Sequence, residues 1–272
     1  MGRDILAIVD TGDQDAPFID YAIALASARN ARLEIGLAGA IPVPGAPSAF
    51  GLPYADADAF NRAFAAKESR VRSRAKLAGI TVRLFLDDPL LLLQKLGAES
   101  RLWDLVLLGP TDAYASPRFR REMAQLLVFS SGRPVVVLSE QAAVEPLTRI
   151  VIGWTGTREA ARALHAAVSI APPQACFDIV TVGHGGKEER QLQPSAHDVA
   201  LHLIALGRTA QAHHVDAGEQ SVSEALVAFA RAHSADLLAI GAYGHSRLRE
   251  MVFGGVTRDL LEGAEVAILM VH

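Results

Sequence analysis

The chain has 272 residues, of which half are hydrophobic and 6% aromatic, and a formal charge of −4. That length is long for one domain and comfortable for two of about 100 to 150 residues, while the charge excludes the basic footprint of a nucleic-acid or anionic-membrane binder. A single cysteine, Cys176, excludes an internal disulfide and reads as a small buried hydrophobe.

In chain order, "ILAIV" predicts a first strand ending at Asp10, followed by the polar turn "DTGDQD" and an Ala-rich helical stretch. The early Asp10 interrupts any signal-peptide core, and no apolar run approaches the roughly 18 residues of a membrane span, so a cytoplasmic location is expected. "LEIGLAG" predicts a second strand. Four prolines and two glycines in residues 41–54 then rule out regular structure and predict an exposed loop: a lid, a partner contact or a plain surface excursion. "TVRLFL", "DLVLLG" and "PVVVLS" complete five strands. Between the last two, "PRFRRE" from Pro117 reads as the exposed start of a helix.

After a polar boundary at residues 139–148 the pattern starts again, with "RIVIGW", "FDIVTVG", "AQAHHV", "DLLAIG" and "VAILMV" as strands. His213 and His214 are adjacent in a strand, point to opposite faces and cannot hold one metal together. "SEALVAFARAHSA" from Ser223 places Ala225, Leu226, Phe229 and Ala230 on one helical stripe. "DLVLLG" and "DLLAIG", and further on "RPVVVL" and "EVAILM", align without a gap, so the halves share a register. Continuous apolar runs alternating with helices give an α/β fold of two tandem doubly wound parallel-sheet domains, Rossmann-like, with five strands each. The domains are predicted over residues 1–140 and 146–272.

In open parallel sheets ligands bind beyond the carboxyl ends of the strands. There, after "DLLAI", lies "GAYGHSRLREMVFGGVT", residues 241–257. Its glycines permit close backbone approach, and helix-start amides would suit a phosphate; chemistry alone leaves a plain strand-to-helix loop equally open. His245 reads equally as a phosphate contact or a solvated loop residue.

Gly241, Gly244 and Gly254 reproduce the G-x2-G-x9-G spacing of the universal stress protein family, and the segment around them resembles that family's C-terminal part almost throughout. The resemblance covers the chain as a tandem pair, more strongly in the second half. It implies a fold of the adenine nucleotide alpha hydrolase-like type and, as the ligand, ATP or a related adenine nucleotide, with no metal beyond accompanying magnesium. The implied phosphate contacts are the backbone around Gly244, Gly254, Gly255 and Val256, with Gly241 opening the loop and Arg247 as an added charge. Two departures weaken the expected site. Thr155 stands where nucleotide-binding members carry an Asp at the end of the first strand, and Gly255 where they carry Ser or Thr; Thr257 offers a substitute hydroxyl.

In the first half the same register sets Asp112, Glu122 and Met123 opposite Gly244, Gly254 and Gly255. Carboxylates there would repel a phosphate, so this half reads as having lost its nucleotide loop, with Asp10 capping its own turn. The expected function is a stress-response module that senses a ligand or contacts a partner, binding nucleotide weakly in its second half. The alternatives are a nucleotide-free structural or partner-binding member and a slow nucleotide hydrolase. Catalysis is not expected: neither first turn gives G-x-G-x-x-G, and no motif supplies both a magnesium carboxylate and a base. Protein partners are unnamed by the sequence. The apolar last strands are expected to pair the halves as a pseudo-dimer within one chain, with a homodimer also open.

Overall fold

The computed structural model describes residues 4–43, 49–53, 56–140, 147–183, 194–242, 257, 259–261 and 265–272. Two compact units divide the chain between Glu140 and Gln141.

Unit 1 holds strands β1 (Asp4–Val9), β2 (Arg32–Ala40), β3 (Thr81–Asp87), β4 (Leu105–Leu108) and β5 (Val135–Val137), with helices α1 (Ala16–Ala28), α2 (Ala57–Leu77), α3 (Pro89–Glu99) and α4 (Pro117–Ser130). The strand order is β3-β2-β1-β4-β5, and every pair within it is parallel. Unit 2 holds β6 (Arg149–Gly153), β7 (Cys176–Gly183), β8 (Thr209–Asp216), β9 (Leu237–Gly241) and β10 (Ala267–Val271), with α5 (Arg158–Ile170), α6 (Ala196–Ala205) and α7 (Val222–Ala232). Its order is β10-β9-β6-β7-β8, again parallel throughout. All ten predicted strands are present.

The central strands are apolar on both faces because both faces are covered; Leu6 to Val9, Val106 to Leu108, Ile150 to Ile152 and Leu238 to Ala239 are fully buried. The repeated Asp of "DLVLLG" and "DLLAIG" has a structural cause. Asp104 accepts a hydrogen bond from the Asp4 amide at 3.2 Å, and Asp236 accepts the Thr148 and Arg149 amides at 2.6 and 2.9 Å. In each unit this carboxylate ties the start of the first strand to the start of the fourth.

Helix starts follow the polar residues that precede them. Asp88 caps α3, whose second feature is Pro89 in the first turn, and Ser116 and Thr157 cap α4 and α5. Ser195 with Asp198, and Ser221 with Glu224, form reciprocal capping boxes on α6 and α7.

Three expectations are corrected. Cys176 is only half-buried, because it opens β7 at the rim of the sheet, where cover is incomplete. Residues 41–54 contain a short 3-10 turn at Ala49–Gly51, held because the Phe50 carbonyl accepts the Ser116 hydroxyl and its ring lies 5.8 Å from that of Phe119. Arg120, within the basic run that starts α4, is buried: Nε donates to the Gly109 carbonyl at 2.8 Å and Nη2 to the Leu138 carbonyl at 3.0 Å.

Candidate functional site

Both sheets reverse direction beside their first strand. β1 lies between β2 and β4, and β6 between β7 and β9, so each unit has a switch point where the carboxyl ends of two neighbouring strands part from successive crossovers. In unit 1 it is framed by Asp10 and Gly109, and in unit 2 by Thr155 and Gly241.

Unit 1 fills this place with its own side chains. Asp10, 1% exposed, accepts the Gly12 amide at 2.8 Å and the Ala115 amide at 3.0 Å. Tyr114 bridges the two strand ends: its hydroxyl donates to the Ile8 carbonyl at 2.6 Å and accepts the Gly109 amide at 2.9 Å. Behind them Lys67 of α2, 1% exposed, pairs with Asp15 at 2.6 Å and donates to the Gly12 carbonyl. Gly12 is packed so closely that an added Cβ would lie 2.5 Å from the Ala113 carbonyl oxygen.

Electrostatics match this enclosure. Burial raises the Asp10 carboxyl from 3.8 to about 6, against the pull of the Gly12 and Ala115 amides and of Lys67. Burial likewise pushes the Tyr114 hydroxyl well up and lowers Arg120. Met123 is buried within α4 and Glu122 is half-buried there, so a regular helix occupies the positions that register with Gly254 and Gly255. Tyr114 registers with Ser246, and that exchange of a ring for a hydroxymethyl group was the signal in the sequence for a filled switch point.

Unit 2 is built differently at the corresponding strand end. Thr155 is exposed, with its hydroxyl 3.1 Å from that of Thr157, the residue that caps α5 by accepting the Ala160 amide at 3.3 Å. Gly156 between them has φ of 72°, a left-handed turn that suits glycine. Trp154 is buried, anchored by Nε1 donating to the Pro194 carbonyl at 2.8 Å. Glu159 in the first turn of α5 is also buried; its own amide, Arg158 and Thr157 hold its carboxyl below the usual range although burial, the largest influence, opposes them.

Gly241 is brought beside Thr155 by the β6–β9 pairing, but the close approach it permits is to protein. A Cβ there would lie 2.4 Å from the Ala160 amide nitrogen, so α5 packs directly on the end of β9. Thr257 is helical and buried. Gly244, His245, Arg247, Gly254, Gly255 and Val256 lie outside the described residues. His213 and His214 do face opposite sides: His213 donates from Nε2 to the Asp178 carboxylate at 2.9 Å, and His214 lies 3.2 Å from the Thr181 hydroxyl. Among the described residues no cluster of three His, Cys, Asp or Glu is placed to hold a metal, and no helix is long and apolar enough to cross a membrane.

Residues 146–272 match the model of the Universal stress protein family. The second unit is a universal stress domain. The whole chain shares its fold with solved proteins of that kind. A universal stress protein from Archaeoglobus fulgidus DSM 4304 aligns over 98% of this chain and 95% of its own, at 15% identity and a TM-score of 0.67. A chain assigned to the universal stress proteins from Pseudomonas aeruginosa UCBPP-PA14 aligns over 99% and 93%, at 13% identity and a TM-score of 0.61. A universal stress protein solved in complex with cAMP aligns over 46% of this chain and 97% of its own, at 22% identity and a TM-score of 0.35. No curated protein matches the chain. The first two likenesses span both units, so the universal stress domain is one of a tandem pair whose first member has the same strand order about its own switch point.

Proposed function

We propose that this stress-response protein binds an adenine nucleotide, ATP or a close relative, at the switch point of its universal stress domain, while residues 1–140 act as a nucleotide-free structural partner. The observation that carries the reading is the contrast between the two strand ends. Asp10 is buried and held by the Gly12 and Ala115 amides, whereas Thr155 is exposed at the start of a 13-residue helix, its hydroxyl 3.1 Å from that of Thr157. The G-x2-G-x9-G spacing beginning at Gly241 adds backbone amides of the kind that hold phosphate. Gly241 itself serves packing, so Gly244 and the amides of Gly254, Gly255 and Val256 carry the phosphate contacts, with Arg247 as counter-charge and magnesium arriving with the nucleotide. Thr155 in place of a carboxylate keeps the affinity modest.

Calorimetric titration of the full chain with magnesium and ATP tests this. Saturable binding is expected, abolished by Gly254→Glu, which installs the residue that unit 1 carries at that register. Trp154 directly precedes Thr155, so its emission should change on binding while that of Trp103 in unit 1 does not. Absence of binding at millimolar ATP, or binding indifferent to Gly254→Glu, overturns the proposal.

A further inference from the structure

The sheet of unit 2 ends at β8, and among the described residues no strand pairs with its outer side. β8 is eight residues long, runs in unbroken one-to-one register with β7, and has five residues exposed. The devices that usually blunt such an edge, a proline, a lysine or a bulge, do not occur between Thr209 and Val215. Beside it, α6 packs on β8 and exposes Leu201 and Ile204, three residues apart on one helix face, with Leu206 just beyond the helix. An open strand edge flanked by exposed apolar side chains is a surface that needs a cover.

We infer that the cover is a second copy of this chain, joined by an antiparallel β8–β8 pair about a two-fold axis at Ala212. The residues on β8 are complementary to themselves in this register. Arg208 falls opposite the partner's Asp216, Thr209 opposite the partner's Val215, Ala210 opposite the partner's His214, and Gln211 opposite the partner's His213. Two ion pairs and two amide–imidazole pairs result, with the smallest side chain on the axis.

The neighbouring registers lose this match. Centring one residue later sets His213 against itself, and centring one residue earlier sets Arg208 against the partner's His214 and Asp216 against the partner's Leu206. Arg208 precedes the strand and donates from Nη1 to the Pro172 carbonyl at 2.7 Å, and Asp216 closes the strand and accepts the Gly218 amide at 3.0 Å, so the two charges stand at opposite ends of β8. The His213 ring, 4.9 Å from Phe229, places the odd-numbered residues of β8 on the α7 side and Ala210, Ala212 and His214 on the α6 side. A two-fold axis perpendicular to the sheet therefore keeps the two copies of α6 on one face, with Leu201 and Ile204 turned toward the join. The interface is independent of nucleotide binding.

Sedimentation equilibrium of the full chain tests it, with far-ultraviolet dichroism to confirm folding of each variant. The unmutated chain is expected to dimerise, and Arg208→Asp, which opposes Asp216 with a like charge, to weaken the dimer about tenfold or more. The double exchange Arg208→Asp with Asp216→Arg should restore it. Ala212→Lys, an exposed position that meets its own copy at the axis, should weaken it as well and serves if Arg208→Asp misfolds. A chain that stays monomeric overturns the proposal and leaves the edge to an extended segment of another protein. A dimer whose constant is unchanged in Arg208→Asp and Ala212→Lys overturns it too.

Discussion

At the end of β1 a carboxylate is buried and tied to two backbone amides, while at the end of β6 an exposed threonine stands beside a helix cap. The two ends occupy the same place in the same topology. Their difference shows that the crevice a doubly wound sheet creates is an opportunity that each unit uses separately. Unit 1 closes it with a chain of buried polar groups, Asp10, Asp15, Lys67, Tyr114 and Arg120. Closing it that way carries a cost, because each buried charge must find a partner or lose hydration without return. In unit 2 the corresponding Thr155 is exposed, and Thr157, two residues on, caps α5.

The sharpest way to break this comparison is to remove the cation from the closed site. Lys67→Met leaves the Asp15 carboxylate buried without its partner, and unit 1 should lose about 3 to 5 kcal/mol. Chemical denaturation followed by Trp103 emission, in a Trp154→Phe background where it is the one remaining tryptophan, reads unit 1 alone. An unchanged midpoint would mean that the network does not hold the unit together.

The next effect concerns pH. The folded state holds the Asp10 proton more tightly than the unfolded chain does, since burial raises the group from 3.8 to about 6. Stability from this group is therefore greatest below 3.8, falls as pH rises from there to about 6, and stays lower above. The fall amounts to about 3 kcal/mol at most. Asp10→Asn should flatten that part of the profile and stabilise unit 1 at neutral pH, in unfolding curves measured between pH 3.5 and 8; a slope that survives the substitution would place its source elsewhere.

Tyr114→Phe sharpens the role of the bridging hydroxyl. It strands the Gly109 amide and the Ile8 carbonyl, and about 2 kcal/mol of unit 1 stability should go with it, without a change in Trp154 emission. The smallest effect belongs to the other side of the comparison. Thr157→Ala removes the cap of α5 and should lower the unfolding free energy of unit 2 by about 1 kcal/mol, read through Trp154 in a Trp103→Phe background.

The strands were legible because continuous apolar runs between helical stretches have few other meanings in a chain of this charge. The repeat made the second half a key to the first. The polar core of unit 1 was not legible, because Lys67 lies among charged residues of a long helix and Arg120 in a basic run, contexts in which long side chains are normally solvated. Their partners come from elements far away in sequence: Asp15 and Gly12 for Lys67, Leu138 for Arg120. The end of β6 was legible as well, since the apolar run closes at Trp154 before the polar turn that begins with Thr155. Cys176 is half-buried because it is the first residue of β7, at the rim of the sheet, a position its apolar neighbours in sequence do not reveal.

Gly241 carries a lesson about how such sequences are sorted. Its counterpart in unit 1, Gly109, is also a glycine, and a Cβ there would lie 2.8 Å from the Phe18 ring of α1, much as one at Gly241 would meet the backbone of α5. A glycine ending the fourth strand is thus retained by the unit whose crevice is shut. It marks how tightly the first helix sits on the sheet, and its presence has no diagnostic value for a ligand. The positions at which the two units do differ in sequence are those of Tyr114 and Glu122, where unit 1 sets a ring and a carboxylate against Ser246 and Gly254.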